Sequence, residues 1–448
     1  MADYASNARY QVVPLMPISV ESTHTEFVVD GAIPETLSGL YVRNGPNALG
    51  DAPPFLHYFS GEGMLHGVRL HEGRAEWYRS RVVRGGQVAE RLGEPDIGGP
   101  VAHEVDASPN TNVIRLDGKL YATIEGGANP VALSSTLDSL HRSDFDGALT
   151  FGFTGHHKTD PESGEIFGVV YSKALPLAAQ VVRLSPEGAL LHSVEVPLAG
   201  ATQIHDMAIT KNYVIILDLS VVFDPVLLER TTLPIRWDGE KACRVGVMPK
   251  DGGASAVRWF DLEPCYAYHT LNAYEDDRGN VVVDVSRYPR AAERDLFGPL
   301  GDSLPTLDRW VLTMDGSTTR AVETRLSELP LDFLQVNPNV VGRRHRYAYA
   351  VEASLDPAFG GWVRVDTETG ETLRQDLGGS WCSELTFVPR GTDEDDGWLL
   401  GFAFLPERRR SRLVILDASS FGSDPVASIW IPDLHVPIGT HGGWFPDL

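Results

Sequence analysis

Cysteine is the first scarcity: three in 448 residues. Cys243, Cys265 and Cys382 are odd in number and far apart in sequence. That gives no disulfide framework and no thiolate metal box. Positive charge is also short, with 38 Lys and Arg against 61 Asp and Glu and a formal net charge of −23. Such a balance excludes an electrostatic grip on nucleic acid or on an anionic membrane. It leaves apolar contact with a bilayer open. No run of about 18 uncharged apolar residues occurs, so no spanning helix is expected. The opening "MADYASNARYQVVPLM" has no basic start followed by an apolar core, so no signal peptide is expected, and the N-x-S/T pattern is missing. These absences point to a soluble cytoplasmic protein. P-loop, dinucleotide, G-x-S-x-G and H-E-x-x-H patterns are lacking as well.

What the chain does have is 42% hydrophobic residues, enough for a sizeable core, and many short β-rich runs broken by turn residues. "VVRLSPEGALLHSVEV" alternates around Pro-Glu-Gly, and "WVRVDTETGETLRQDL" around Thr-Gly. "VRLHEGRAEWYRSRVV", "VIRLDGKLYATIE" and "LNAYEDDRGNVVVDVSRY" follow the same plan. Hairpins recurring from about residue 65 to the end predict an all-β chain. A β-propeller hides its strand edges by radial repetition. A two-sheet sandwich is the rival, but it would more often come as linked modules of about 100 residues, and no linker is visible. The whole chain, 1–448, is therefore expected to be one domain. "GEGMLHG" and "EGGANP" read as tight turns, "GTDEDDG" as a solvated loop and "ERRRSR" as an exposed hairpin end.

Fourteen histidines are present. Four stand at the edges of apolar or β-branched runs beside small or polar residues: His156 in "FTGHHKTDPESGE", His205 in "TQIHDMAIT", His269 in "YAYHTLNAYE" and His441 in "VPIGTHGGWFP". Singly, each is more often a hydrogen-bonded core or surface histidine than a ligand. Their separations of 49, 64 and 172 residues match no local metal motif.

Together the segments carry a resemblance. "GLYVRNGPN", "YFSGEGMLHGVRL", "HKTDPESGE", "HDMAIT", "HTLNAYE", "SELTFVPR" and "VPIGTHG" occur in the order of the signatures of the carotenoid cleavage oxygenases. The resemblance spans nearly the whole chain. It implies a seven-bladed β-propeller with helical and loop segments roofing one face. It also implies one iron(II) per chain on the propeller axis, held by His156, His205, His269 and His441. The family usually has proline after its first histidine, where this chain has His157. Counting back from Asp160 puts the ligand position on His156, with His157 as the fallback.

The same resemblance marks three carboxylates behind the ligands: Glu125, Asp332 and Glu384. Asp332 stands where the family has Glu. One methylene shorter, it needs a water or a backbone shift to reach an imidazole. The implied reaction is cleavage of one C=C bond by dioxygen into two carbonyl products. Neutral imidazoles suit iron(II), and with both oxygen atoms in the products no external electrons are needed. Family members that cleave stilbenes place a Lys just before the first of these Glu residues and a Tyr in a "YRNRYV"-like segment. Here Ile124 and Val82 occupy those positions. An apolar polyene, a carotenoid or apocarotenoid, is thus expected ahead of an aryl alkene such as a stilbene. Phe59 is a candidate pocket residue. The apolar stretch "LSVVFDPVLLERTTLPIRW" reads either as a blade strand with its loop or as a patch for peripheral membrane contact. The motifs leave open the family's isomerohydrolase activity and a non-catalytic pigment- or lipid-binding propeller.

Overall fold

The computed structural model describes residues 15–50, 57–296, 298, 302–354, 360–432 and 435–446. Strands dominate. Seven antiparallel sheets, each of four or more strands, succeed one another along the chain, and a two-stranded ribbon stands beside them. The hairpins foreseen from turn chemistry pair as expected. Leu175–Leu184 pairs with Leu190–Pro197 across Pro186–Gly188, and Tyr266–Glu275 pairs with Val281–Tyr288 across Asp276–Gly279. β-branched and aromatic side chains fill the buried sides of these strands, as a half-buried pleated surface favours.

Blade 1 begins at Asn112–Leu116, blade 2 at Lys158–Thr159 and blade 3 at Ala208–Ile209. Blade 4 begins at Tyr266–Glu275, blade 5 at Leu331–Gln335 and blade 6 at Trp381–Cys382 with Thr386–Pro389. Blade 7 is assembled from both ends of the chain. Its first strand is Gly442–Pro446, which pairs with Gly39–Arg43 in the register Arg43↔Gly442 to Gly39↔Pro446. The ring is latched again at blade 6, where Val28–Gly31 adds an outer strand to Ala427–Trp430. First strands of all seven blades line one axial cavity of about 770 Å³. That shared lining is what a propeller axis requires.

The helical share outside the blades is small: among the described residues the only α-helix is the four-residue Val88–Arg91, beside loops and short 3-10 turns. One expectation needs correcting. "GEGMLHG" is not a turn but the start of the ten-residue strand Glu62–His71. Its glycines serve close approach: a Cβ on Gly63 would lie 1.8 Å from the Pro109 carbonyl oxygen. "EGGANP" does turn, with Gly126 and Gly127 at φ +87° and +95°.

Candidate metal centre

The four histidines enter from four blades. His156 leads into the first strand of blade 2 and His205 into that of blade 3; His269 lies within the first strand of blade 4, and His441 immediately precedes that of blade 7. They converge on the axis, all buried, with one nitrogen from each within 4.8 Å of the others. The inward atoms are Nε2: His156 and His205 approach to 3.1 Å, and His269 and His441 to 3.2 Å.

The remaining three blades supply carboxylates. Glu125 of blade 1 meets His205 Nδ1 at 3.1 Å, Asp332 of blade 5 meets His269 Nδ1 at 2.6 Å, and Glu384 of blade 6 meets His441 Nδ1 at 2.8 Å. Each blade thus contributes one group. An ionised carboxylate only accepts hydrogen bonds, so these imidazoles carry their proton on Nδ1 and turn the Nε2 lone pair inward. Lone pairs facing one another at such distances repel unless a cation lies between them. Two metal–nitrogen bonds of about 2.1 Å at right angles would separate their nitrogens by about 3 Å. The donor set therefore fits a divalent ion of imidazole preference, and iron is in that class.

Burial supports the neutral ligand state. It pulls His156 well below the usual histidine range, helped by the three neighbouring histidines, and it pulls His441 down against the opposing pull of Glu384. His269 is the exception. Burial lowers it, but the charge and hydrogen bond of Asp332 carry it above the ordinary value. Burial pushes Asp332 up in turn, yet His269 and the Tyr288 hydroxyl, which donates to its Oδ2, hold it below the usual carboxylate range.

A bulge accompanies the reach of the short Asp332. Its strand slips register against Tyr347–Glu352 between Asp332 and Gln335, and Phe333 takes φ +50°. The bulge thus stands directly beside the residue whose short side chain makes the contact. It also lays the Phe333 ring over His269, centroids 5.0 Å apart and planes at 29°. His441 is held by main-chain bonds on both sides: its N–H donates to the Thr111 carbonyl, and its own carbonyl accepts from Asn44 N–H. Thr440 Oγ1 donates to the Asn110 and Thr111 carbonyls. Gly442 lets the strands close up, since a Cβ there would sit 2.0 Å from the Val42 carbonyl oxygen.

A second cavity of about 450 Å³ touches the centre at His205. Phe59 lines it, its ring stacked on His205 at 6.0 Å, and so does Ile124. Val82 does not. It is packed with Ile18, Met64 and Val88 in a small buried cluster, and Val88 reaches the cavity instead, because Val82 faces the interior side of its strand. Tyr171, Lys173, Phe223 and Leu233 also line the cavity; Tyr171 and Lys173 lie between the motifs and were not foreseen, while Phe223 and Leu233 belong to the apolar stretch "LSVVFDPVLLERTTLPIRW". Asp206 was missed too, although it stands directly after His205 in "HDMAIT". His157 lines the axial cavity and is not among the converging nitrogens.

A closed ring of blades around four convergent imidazoles defines a propeller with a candidate metal centre on its axis, and comparison with known proteins narrows the class. The family described as retinal pigment epithelial membrane protein matches residues 16–446. A Mycobacterium tuberculosis protein named carotenoid cleavage oxygenase is 36% identical, the match covering 96% of each chain. The chain belongs to this family. A carotenoid 9,10(9',10')-cleavage dioxygenase 1 of Phaseolus vulgaris is 28% identical over 95% of this chain and 87% of its own. Among solved structures, the cobalt-substituted Synechocystis apocarotenoid oxygenase superposes with a TM-score of 0.84 at 25% identity, covering 97% of this chain and 98% of its own. The Pseudomonas brassicacearum lignostilbene dioxygenase shares the fold, with a TM-score of 0.87 at 24% identity over 98% of both chains.

Proposed function

We propose that this protein, acting as one propeller domain over 1–448, is a non-haem iron(II) dioxygenase. It cleaves one C=C bond of a carotenoid or apocarotenoid with O2 to give two carbonyl products. The carrying observation is the convergence of four buried Nε2 atoms, three of them backed by carboxylates, beside a cavity walled in part by Phe59, Ile124, Phe223 and Leu233. The names of the relatives support the same reaction class. The balance is simple: one alkene and one O2 become two carbonyl compounds, with no other reductant.

His156, His205, His269 and His441 would hold the iron. When bound, the metal would supply dioxygen activation. The chain's own part is to orient and to exclude water. Glu125, Asp332 and Glu384 fix three rings by accepting from Nδ1, and such outer partners raise ligand basicity. Phe59 shields one face of His205 and Phe333 one face of His269. An extended polyene gains about 25 cal/mol per Å² buried against the apolar wall. A buried phenol next to Ile124 would lack the partner that a lysine gives, at a cost of about 1–3 kcal/mol.

Cleavage of a stilbene-like alkene is the second reading. Tyr171 and Lys173 line the same cavity and offer polar groups to an oxygenated end. No helix among the described residues is long and apolar enough to cross a membrane. A cytoplasmic protein that touches a bilayer reversibly is the localisation we favour. Val226 and Leu228 are exposed in the connection between the ribbon strands Val221–Phe223 and Ile235–Trp237, and the same end of the ribbon reaches the cavity through Phe223 and Leu233.

Incubation of the iron-loaded protein with an apocarotenoid and with a 4-hydroxystilbene, in air and under nitrogen, tests the reading. Cleavage of the apocarotenoid in air alone is expected. Turnover that continues without oxygen would mark an isomerohydrolase, and no turnover of either alkene would leave a binding propeller.

A further inference from the structure

One carboxylate joins three of the four ligand segments. Asp206 is buried at 2% exposure and directly follows His205. Its Oδ2 accepts from the backbone N–H of Thr270 at 2.7 Å and from the Thr270 hydroxyl at 2.8 Å. Thr270 directly follows His269. Asp206 Oδ1 lies 3.0 Å from the Nζ of Lys158, two residues past His156, and accepts from Met207 N–H at 2.6 Å. Blades 2, 3 and 4 are thus tied at the positions where their histidines leave the backbone.

His156 has no carboxylate at hydrogen-bond distance from Nδ1. The nearest ion-pair contact is Asp206 Oδ1 at 3.9 Å. That span is too long for a direct bond. At this distance the negative charge still acts on the ring, because both groups are buried.

We propose that Asp206 is a fourth carboxylate of the metal centre, a positioning residue. It does for His156 by charge what Glu125, Asp332 and Glu384 do by contact. It also fixes the spacing of His156, His205 and His269 through Lys158 and Thr270. Lys158 is part of the device: its ammonium neutralises part of the Asp206 charge and draws the His156 segment against blade 3. The inference rests on the four-histidine centre binding a metal. It does not depend on which alkene is cleaved.

The test is titration of the full-length apoprotein with cobalt(II), followed by d–d absorption, alongside thermal melting. The proteins are wild type, Asp206→Asn, Asp206→Ala and, as a control, Asp284→Asn. Asp284 is a buried carboxylate of blade 4 paired with Arg309 and His345, outside the ligand set. Both Asp206 variants are expected to bind cobalt about 10–100-fold more weakly and with shifted bands. Asp284→Asn is expected to lower the melting temperature while leaving affinity and bands as in wild type. Unchanged affinity and bands in Asp206→Asn would overturn the proposal. So would an equal loss of affinity in Asp284→Asn, since that would reduce the effect to general destabilisation. If neither Asp206 variant folds, Thr270→Val removes only the hydroxyl donor. A weaker cobalt complex then supports the proposal, and wild-type binding contradicts it. A wild-type protein that binds no cobalt at all would overturn the metal centre itself.

Discussion

The Asp332 carboxylate meets the His269 imidazole at 2.6 Å although its side chain is a methylene shorter than the glutamate its relatives' motif leads one to expect. A register slip and a left-handed Phe333 follow directly after Asp332 in the strand. We take side-chain length and backbone bulge to be matched.

Asp332→Ala is expected to weaken metal retention about 10–100-fold. Asp332→Glu is not expected to be neutral, because the longer side chain overfills a buried site already in contact with His269; a loss of about 1–3 kcal/mol of stability follows. Metal analysis after dialysis and thermal denaturation check the two. A Glu variant as stable as wild type would contradict the matching.

The chain end has two separable roles. His441→Ala is expected to abolish metal binding and turnover while blade 7 still closes, because Gly442–Pro446 remains to pair with Gly39–Arg43. Removing residues 441–448 is expected to cost both metal and stability. Iron content with the urea midpoint of each variant separates the effects. His205→Ala and His269→Ala should resemble His441→Ala in losing iron.

Acidification is expected to loosen the roof at His57. Burial lowers His57 from the ordinary histidine value of 6.5 to about 3. Its Nδ1 accepts from the N–H of Phe59, whose ring covers His205. The folded state keeps this ring neutral while the unfolded chain takes up a proton, so stability is complete above about pH 6.5 and falls as pH drops toward 3. Each pH unit is worth about 1.4 kcal/mol. His57→Asn keeps an acceptor without titrating. Urea midpoints across this range should fall less steeply in the variant than in wild type.

Strand pairing was legible in the sequence because turn residues such as Pro186–Gly188 and Asp276–Gly279 punctuate alternating runs. The number of blades was not, since the blades share no repeat motif and the count came from resemblance alone. Motif order likewise marked His156, His205, His269 and His441, whose separations say nothing of proximity. Closure of the ring by the tail was invisible for the same reason: Arg43 and Gly442 meet across almost the full chain. The cavity wall was the least legible part. Val82 falls on the packed side of its strand, while Tyr171 and Lys173 reach the cavity from a segment that no motif marks.

The proposed membrane contact is assigned to Val226 and Leu228, which are 77% and 54% exposed, and not to the buried Val222. Val226→Asp with Leu228→Asp is expected to abolish co-sedimentation with neutral liposomes and to leave cleavage of a detergent-solubilised substrate unchanged. Binding of the double variant equal to wild type would remove this patch from the account.

The most direct test of the account is mass spectrometry of the products formed from an apocarotenoid in ¹⁸O₂ by the iron-loaded protein. Two carbonyl fragments, each carrying ¹⁸O after correction for exchange with water, are predicted. An intact carbon skeleton, or fragments whose oxygen comes only from water, would contradict dioxygen cleavage at the four-histidine centre.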